Sequence, residues 1–287
     1  MTVTKRTGII GGSGLYAMQG IEILDELDID TPWGKPSVPL LLACYHGQEI
    51  VFLPRHGAGH GIPPHKINYR ANIYAMKQAG VSRIISVSAV GSLRENIAPG
   101  DFVLVDQFVD RTINREKTFF DGPVVAHVSM ADPICSCLQK SLIHASKQAA
   151  ITTHEGGTYL VMQGPQFSTR AESILYRSWN MDVIGMTNMP EAKLAREAEM
   201  CYATIAMCTD YDCWHEEEEN VSISSVLEVM QSNVQKVQGL LDCYFKETES
   251  PCACSCQTTL DHAIFADLSQ QSDEALRPIH ALVERLL

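Results

Sequence analysis

Apolar positions along this 287-residue chain gather into short runs of strand length, separated by stretches with helical period. TGIIGGSGLY opens with a short strand that runs into a glycine turn, and EIVFLPRHG, SRIISVSAVGSL, DFVLVDQF, GTYLVMQGP, MDVIGMT and CYATIAMCTDYD read as further buried strands. KINYRANIYAMKQAG has helical spacing and closes on Gly80, and a second helix is predicted from Glu191 to Met200. Thr169 and Glu172 have capping-box spacing, which predicts a helix start directly after QGPQF. Ile223, Val226, Leu227, Met230, Val234, Val237 and Leu241 recur on one helical face, with Ser222 as its cap. KETESPCACSCQTT then reads as a loop before a last amphipathic helix over 272–287. With no internal repeat and no linker, the pattern predicts one α/β domain spanning 1–287, a central mixed β-sheet flanked by helices, with a cysteine-containing C-terminal extension from about residue 246.

A formal net charge of −12 argues against a nucleic-acid binder or an anionic-membrane binder, because both need a basic surface. The N-terminal MTVTKRTGIIGGSG has too short an apolar run for a signal segment, and no later run has bilayer length, so a cytoplasmic location is expected. Ten cysteines in a chain of this size then read mostly as free thiols. SPCACSCQ is the exception, with Cys252, Cys254 and Cys256 at every second residue and Cys243 upstream. C-x-C lacks the usual zinc spacing, so an oxidisable cluster is expected here in preference to a metal clamp, and no metal is assigned.

Reactive residues stand at the predicted strand ends. GIIGGSGLYA fits G-x-G-x-x-A at Gly12, Gly14 and Ala17, but LYAMQGIEILDEL gives no clean helix after it. The turn can instead cradle one phosphate, with Ser13 as an added donor. PRHGAGHGIPPHK concentrates Arg55, His56, His60, His65 and Lys66 in an acidic chain, and Arg55 is suited to fork onto a phosphate. Ser88, the amides around Ala89 and Gly91, and Thr187 offer further anion donors. Phe167 is either core or a stacking platform for a planar ligand. Asp210 and Asp212, one residue apart at the end of an apolar strand, would face the same way if the extended conformation continues. A ligand with an aromatic base, a sugar and a phosphate is the simplest common explanation.

GGSGLY, TPWGKPS, PRHG followed by H-x-x-P, SAVGSLRENIAPGD, QGPQFSTRAE, MTNMPE and TDYDCW, in this order over residues 7–245, resemble the purine nucleoside phosphorylase family and its branch acting on 5'-methylthioadenosine. The resemblance implies phosphorolysis to adenine and 5-methylthioribose 1-phosphate, with inorganic phosphate as co-substrate and no cofactor. It implies that Ser13, Arg55, His56, Ser88, Ala89 and Thr187 hold phosphate, with His60 and Pro64 shaping their loop. Phe167 would pack on the base, Met186 would lie along the ribose, and Ile223, Val226 and Leu227 would wall the 5' group. Asp210 would assist purine N7 and Asp212 would accept from a 6-amino group. A homotrimer is implied, in which His127 reaches a neighbouring site. Ser13 and Ser88 stand where relatives often carry threonine, Gln163 replaces an acid before G-P-x-F, and Val90 occupies a small-residue position. His215 with Glu216 to Glu219 reads as a solvated acidic loop.

Other readings remain open at this stage. They are a phosphorylase of 6-oxopurine nucleosides or methylthioinosine, an NAD-dependent dehydrogenase, and a non-catalytic nucleoside-binding or metal-binding protein.

Overall fold

A computed structural model describes residues 5–12, 15, 18–215, 223–247 and 254–287, with only the backbone described for 223–228. The first strands are β1 (Arg6–Gly11), β2 (Glu22–Leu27), β3 (Leu40–Tyr45) and β4 (Gln48–Pro54). The chain continues through helix α1 (Tyr69–Gln78), the long strand β5 (Val81–Ser92), β6 (Phe102–Leu104), β7 (Gln107–Asp110) and helix α2 (Ser136–Gln148). Next come β8 (Thr153–Glu155), β9 (Thr158–Val161), α3 (Arg170–Ser178), β10 (Val183–Gly185), α4 (Asn188–Glu197), β11 (Cys201–Asp210) and α5 (Ile223–Lys246). Two one-turn helices follow, α6 (Asp273–Leu276) and α7 (His280–Val283). The expected α/β class with a mixed sheet is what forms.

Strand β5 organises the sheet. Its first half pairs in parallel with β1, and β11 pairs in parallel along nearly its whole length. Beyond Ser86 the β1 partner ends, and Gly91 and Ser92 pair antiparallel with β10 instead. The sheet therefore divides around one strand, with β4 and β1 on one branch and β10, β9 and β7 on the other. Parallel β4, β1, β5 and β11 send their C-terminal ends to the same edge, where α/β sheets place ligands. Nine successive positions of β11 are buried, as a strand covered on both faces requires.

Several local expectations hold and others need correction. Thr169 and Glu172 form a reciprocal capping box at the start of α3, and Asn68 caps α1 by accepting from the Ala71 N–H. DFVLVDQF is not one strand: it breaks between Leu104 and Gln107, so β6 joins β11 and β8 while β7 joins β9. β2, β3 and β8 go beyond the pattern-based expectation. β2 hides because it is an acidic, exposed edge strand. It pairs antiparallel with β3, not in parallel with β1, so the unit a dinucleotide fingerprint needs is absent among the described residues. The expected helix over 272–287 is broken into single turns, with Pro278 at the first break. These turns still bury Leu276, Ile279, Leu282 and Val283 in the main core, so the tail from residue 254 is packed into the domain. Ser222 lies outside the described residues.

Between β7 and α4 stands a cationic clamp. Asp110 accepts from Lys193 at 2.6 Å and from the Thr112 hydroxyl at 2.6 Å, with Lys117 at 2.9 Å. Burial opposes its charge, but those three partners win and hold its carboxyl well below the usual range. A depressed carboxylate stabilises the fold above its unfolded pKa and loses that contribution as pH falls. Asp110→Asn should therefore lower stability at neutral pH by about 1–3 kcal/mol, and the gap to the parent should narrow in acid. Urea unfolding at pH 7 and pH 3 checks both parts.

Candidate active site

The β4 strand ends in Arg55, whose backbone N–H donates to Gly11 O at 3.2 Å and so ties the ends of β4 and β1 together. Its side chain is fully buried, and that fixes what it can do. Nη2 donates to Ile10 O and to Ser86 Oγ, both at 2.8 Å, and Nε lies 3.2 Å from Glu191 Oε2. Nη1 donates to Thr187 Oγ1 at 3.0 Å. Nη1 and Nη2 thus face protein groups, while Nε, although 3.2 Å from Glu191 Oε2, is buried without a hydrogen-bond partner among the described residues. Thr187 opens α4, and its hydroxyl lies 3.3 Å from Ser88 Oγ, which is itself 3.0 Å from the Tyr159 hydroxyl. Arg55, Ser88 and Thr187, far apart in sequence, therefore converge at one strand edge, and Ala89 follows directly on β5.

His56 follows directly. Its ring is half-buried, and desolvation, reinforced by Arg55 and His60, pushes its pKa down to about 4 against the opposing Ile62 hydrogen bond. The neutral ring donates from Nδ1 to Ile62 O at 2.8 Å, leaving Nε2 as an acceptor. His60 stacks on it with ring centroids 4.0 Å apart, and Pro64 begins the next 3-10 turn. Ser13 lies outside the described residues.

The two aspartates come together by a route that strand alternation does not supply. Pairing steps from Cys208 with Val90 to Asp210 with Gly91, so Thr209 is an extra residue and the strand is bulged at its end. Asp212 is outside the strand, in the left-handed region at φ 54. Its N–H donates to Asp210 Oδ1 at 2.8 Å, and Thr209 Oγ1 donates to Asp210 Oδ2 at 2.7 Å. Gly91 sits beneath the pair, where a Cβ would come within 2.9 Å of Asp210 Oδ1 and displace that carboxylate. Burial raises the pKa of both carboxyls, and for Asp212 the Asp210 charge adds to it. Asp212 Oδ2 is buried without a hydrogen-bond partner among the described residues.

The flanking candidates divide. Phe167 is 55% exposed, which removes the core reading, and its loop reaches the acids through Cys213 Sγ, 3.3 Å from Ser168 O. Met186 is half-buried and packs so closely over Gly164 that a Cβ there would lie 2.5 Å from its Sδ. Gln163 Oε1 accepts from the Ile113 N–H at 2.8 Å, and Val90 is core. His127 is exposed, and its ring contact is with Phe265 at 6.0 Å, away from these residues. Backbone at Ile223, Val226 and Leu227 is helical, but their side chains lie outside the described residues, as do Glu216 to Glu219. His215 stacks on Tyr211 at 4.7 Å.

Two buried ionic residues escape sequence reading. Glu191 accepts from Ser86 Oγ at 2.7 Å and Tyr202 Oη at 2.8 Å besides facing Arg55. Arg115 donates from Nη1 to the carbonyls of Met186 and Met189 and from Nη2 to that of Gln163, each at 2.7 Å, and so fixes the two loops carrying Met186 and Phe167. Glu191 closes the MTNMPE segment without a role assigned to it there, and Arg115 lies in none of the motifs. The only available signal is a charge inside a segment otherwise patterned for burial.

Residues 6–246 match the Phosphorylase superfamily. S-methyl-5'-thioadenosine phosphorylase of Geobacter sulfurreducens is 51% identical over 261 residues, covering 91% of this chain and 91% of its own. A methylthioadenosine phosphorylase from an antarctic soil metagenomic library superposes with a TM-score of 0.92 at 44% identity, covering 98% of this chain and 99% of its own. The Schistosoma mansoni methylthioadenosine phosphorylase in complex with adenine gives a TM-score of 0.80 at 38% identity, covering 84% and 91%.

Glu191→Gln would leave the Arg55 guanidinium buried without its counter-charge. A loss of roughly 3–5 kcal/mol is expected, read as a lowered urea midpoint, whereas Glu95→Gln on the surface should leave the midpoint within error.

Proposed function

The chain belongs to the phosphorylase superfamily, and from that premise we propose that it phosphorolyses 5'-methylthioadenosine to adenine and 5-methylthioribose 1-phosphate. The observation that carries this reading is Asp212 Oδ2, a buried acceptor without a hydrogen bond among the described residues, in a carboxyl whose nearby hydroxyls are those of Ser173 and Ser168 and which is held beside an aspartate whose pKa is raised. A 6-amino group supplies the missing donor, whereas a 6-oxo group would bring a second acceptor. Ser88 and Gly91 are three residues apart on β5, roughly 10 Å, a span that a purine nucleoside with phosphate at its anomeric carbon can fill.

In this reading a phosphate oxygen attacks C1' as the C1'–N9 bond breaks. The bonding pair enters the purine, and Asp210 delivers a proton to N7 so that the base leaves neutral. Asp210's elevated pKa supports the acid role, and the hydrogen bonds from Thr209 and Asp212 stabilise the carboxylate left behind. Phosphate is held by the Ser88 and Thr187 hydroxyls, the remaining Arg55 Nη1 donor, and backbone N–H groups of His56 and Ala89, with Ser13 on the glycine turn. Phosphate acts both as nucleophile and as counter-charge to the cationic ribosyl centre. Phe167 stacks on the base, Met186 lies along the ribose, and Ile223, Val226 and Leu227 wall the 5'-methylthio group. No organic cofactor takes part.

The chain further assembles as a homotrimer in which His127 reaches the 5' end of a neighbour's nucleoside. Support comes from an exposed apolar surface around it, with Phe265 at 84% and Val125 at 48% exposure. Domain extent follows the same reading: a phosphorylase domain with its tail from about 246 folded onto it.

The decisive assay follows free base from 5'-methylthioadenosine, adenosine, methylthioinosine and inosine, with and without phosphate. Adenine released only with phosphate, and fastest from methylthioadenosine, is expected; hypoxanthine as the main product would overturn the base assignment. Asp212→Asn should lower the preference for 6-amino over 6-oxo substrates in kcat/KM by roughly tenfold to a hundredfold. Asp210→Asn should reduce kcat by about 10²–10⁴ and abolish the fall in rate on the alkaline side, where Asp210 loses its proton; a retained alkaline limb would assign the proton elsewhere.

A further inference from the structure

Far from the acids, at the opposite end of β11, four cysteines meet. Cys201 begins β11, Cys135 caps the N-terminus of α2, and Cys254 and Cys256 come from the packed tail. Their four sulfurs all lie within 4.8 Å of one another, and Cys135, Cys201 and Cys256 are buried. The sequence-based expectation grouped Cys254 and Cys256 with Cys243, but here their partners are Cys135 and Cys201; Cys252 lies outside the described residues. Spacing of C-x-C type, read alone, disfavoured a metal because it is not the usual zinc spacing. Tertiary structure adds the other two from positions 119 and 53 residues before Cys254.

We propose that Cys135, Cys201, Cys254 and Cys256 form a structural tetrathiolate site for zinc. Tetrahedral ligation with Zn–S bonds of about 2.3 Å spaces the sulfurs about 3.8 Å apart. Cys201 Sγ and Cys254 Sγ are 3.4 Å apart, near that spacing and far beyond the about 2.05 Å of a disulfide. Four soft sulfur donors without an oxygen or imidazole select a thiophilic ion, and the complete donor set leaves no open position for catalysis. A zinc tetrathiolate carries two negative charges, and the buried Arg196 guanidinium stands against it, donating from Nη1 to Cys256 Sγ at 3.3 Å and from Nη2 to Asp132 O. Binding exchanges the thiol protons for the metal and involves no oxidation or reduction.

The site's consequence is mechanical. It pins the tail to β11 and α2, and a few residues on, Ala263 O accepts from the His127 N–H at 2.8 Å while Ala126 bridges Ile264. The same tail that the metal anchors therefore fixes the segment carrying His127.

Protein expressed with added zinc and purified without chelator should contain about one zinc per chain, by elemental analysis and by native mass spectrometry. Thiol modification should release it in step with loss of four thiols, and Co²⁺ exchanged into the chain should give the intense visible bands of a tetrahedral thiolate site. Cys254→Ser and Cys201→Ser should lose the zinc and melt at a lower temperature, whereas Cys44→Ser and Cys243→Ser should retain it. Should either ligand variant fail to fold, zinc stoichiometry and the Co²⁺ spectrum of the parent still decide. Absence of metal after refolding with excess zinc, or a denatured mass lowered by the hydrogens of paired cysteines without reductant, would overturn the site in favour of disulfides.

Discussion

The architecture of the pocket depends on the buried pair of Arg55 and Glu191. A guanidinium and a carboxylate at 3% and 2% side-chain exposure would each carry a large desolvation cost alone, which their mutual contact and neighbouring hydroxyls offset. Ser86, Tyr202 and Thr187 bond to the pair, and Asn188 extends the network to Thr204 at 2.8 Å. These contacts come from β4, β5, α4 and β11, so one ion pair locks four elements in register. Because Nη1 and Nη2 of Arg55 donate to Thr187, Ile10 and Ser86, the guanidinium is held by protein groups at its strand end.

At the other end of the same edge the constraint is geometric. Strand β5 changes partner from β1 to β10, and that exchange opens the sheet beside Gly91. The bulge at Thr209 and the left-handed turn at Asp212 place both carboxyls over that glycine. A regular strand would have pointed the acids by parity alone and left neither so well desolvated. Arg115 does for the loops at Gln163 and Met186 what Glu191 does for Arg55, gathering carbonyls around a buried cation.

Tail and core are coupled through β11. Its first residue, Cys201, stands in the thiol cluster and its last, Asp210, in the pocket, so one buried strand joins the anchoring of the tail to the acid pair. The tail in turn bonds to the segment of the exposed His127.

Local patterning by itself determined the helix start at Thr169, the buried strands β1, β4, β5, β9, β10 and β11, and the positions of Thr187 and Asp210 at strand ends. These are legible because capping and burial periodicity act over a few residues. Motif order carried the family, since several short segments had to recur in sequence. The partner of Arg55, the neutral state of His56, the turn that pairs the aspartates and the joining of Cys135 and Cys201 to the tail cysteines were decided only in three dimensions. Each rests on groups tens of residues apart brought into a medium of low polarity, where burial determines which charge survives and which sulfur meets which, and no local spacing encodes that environment.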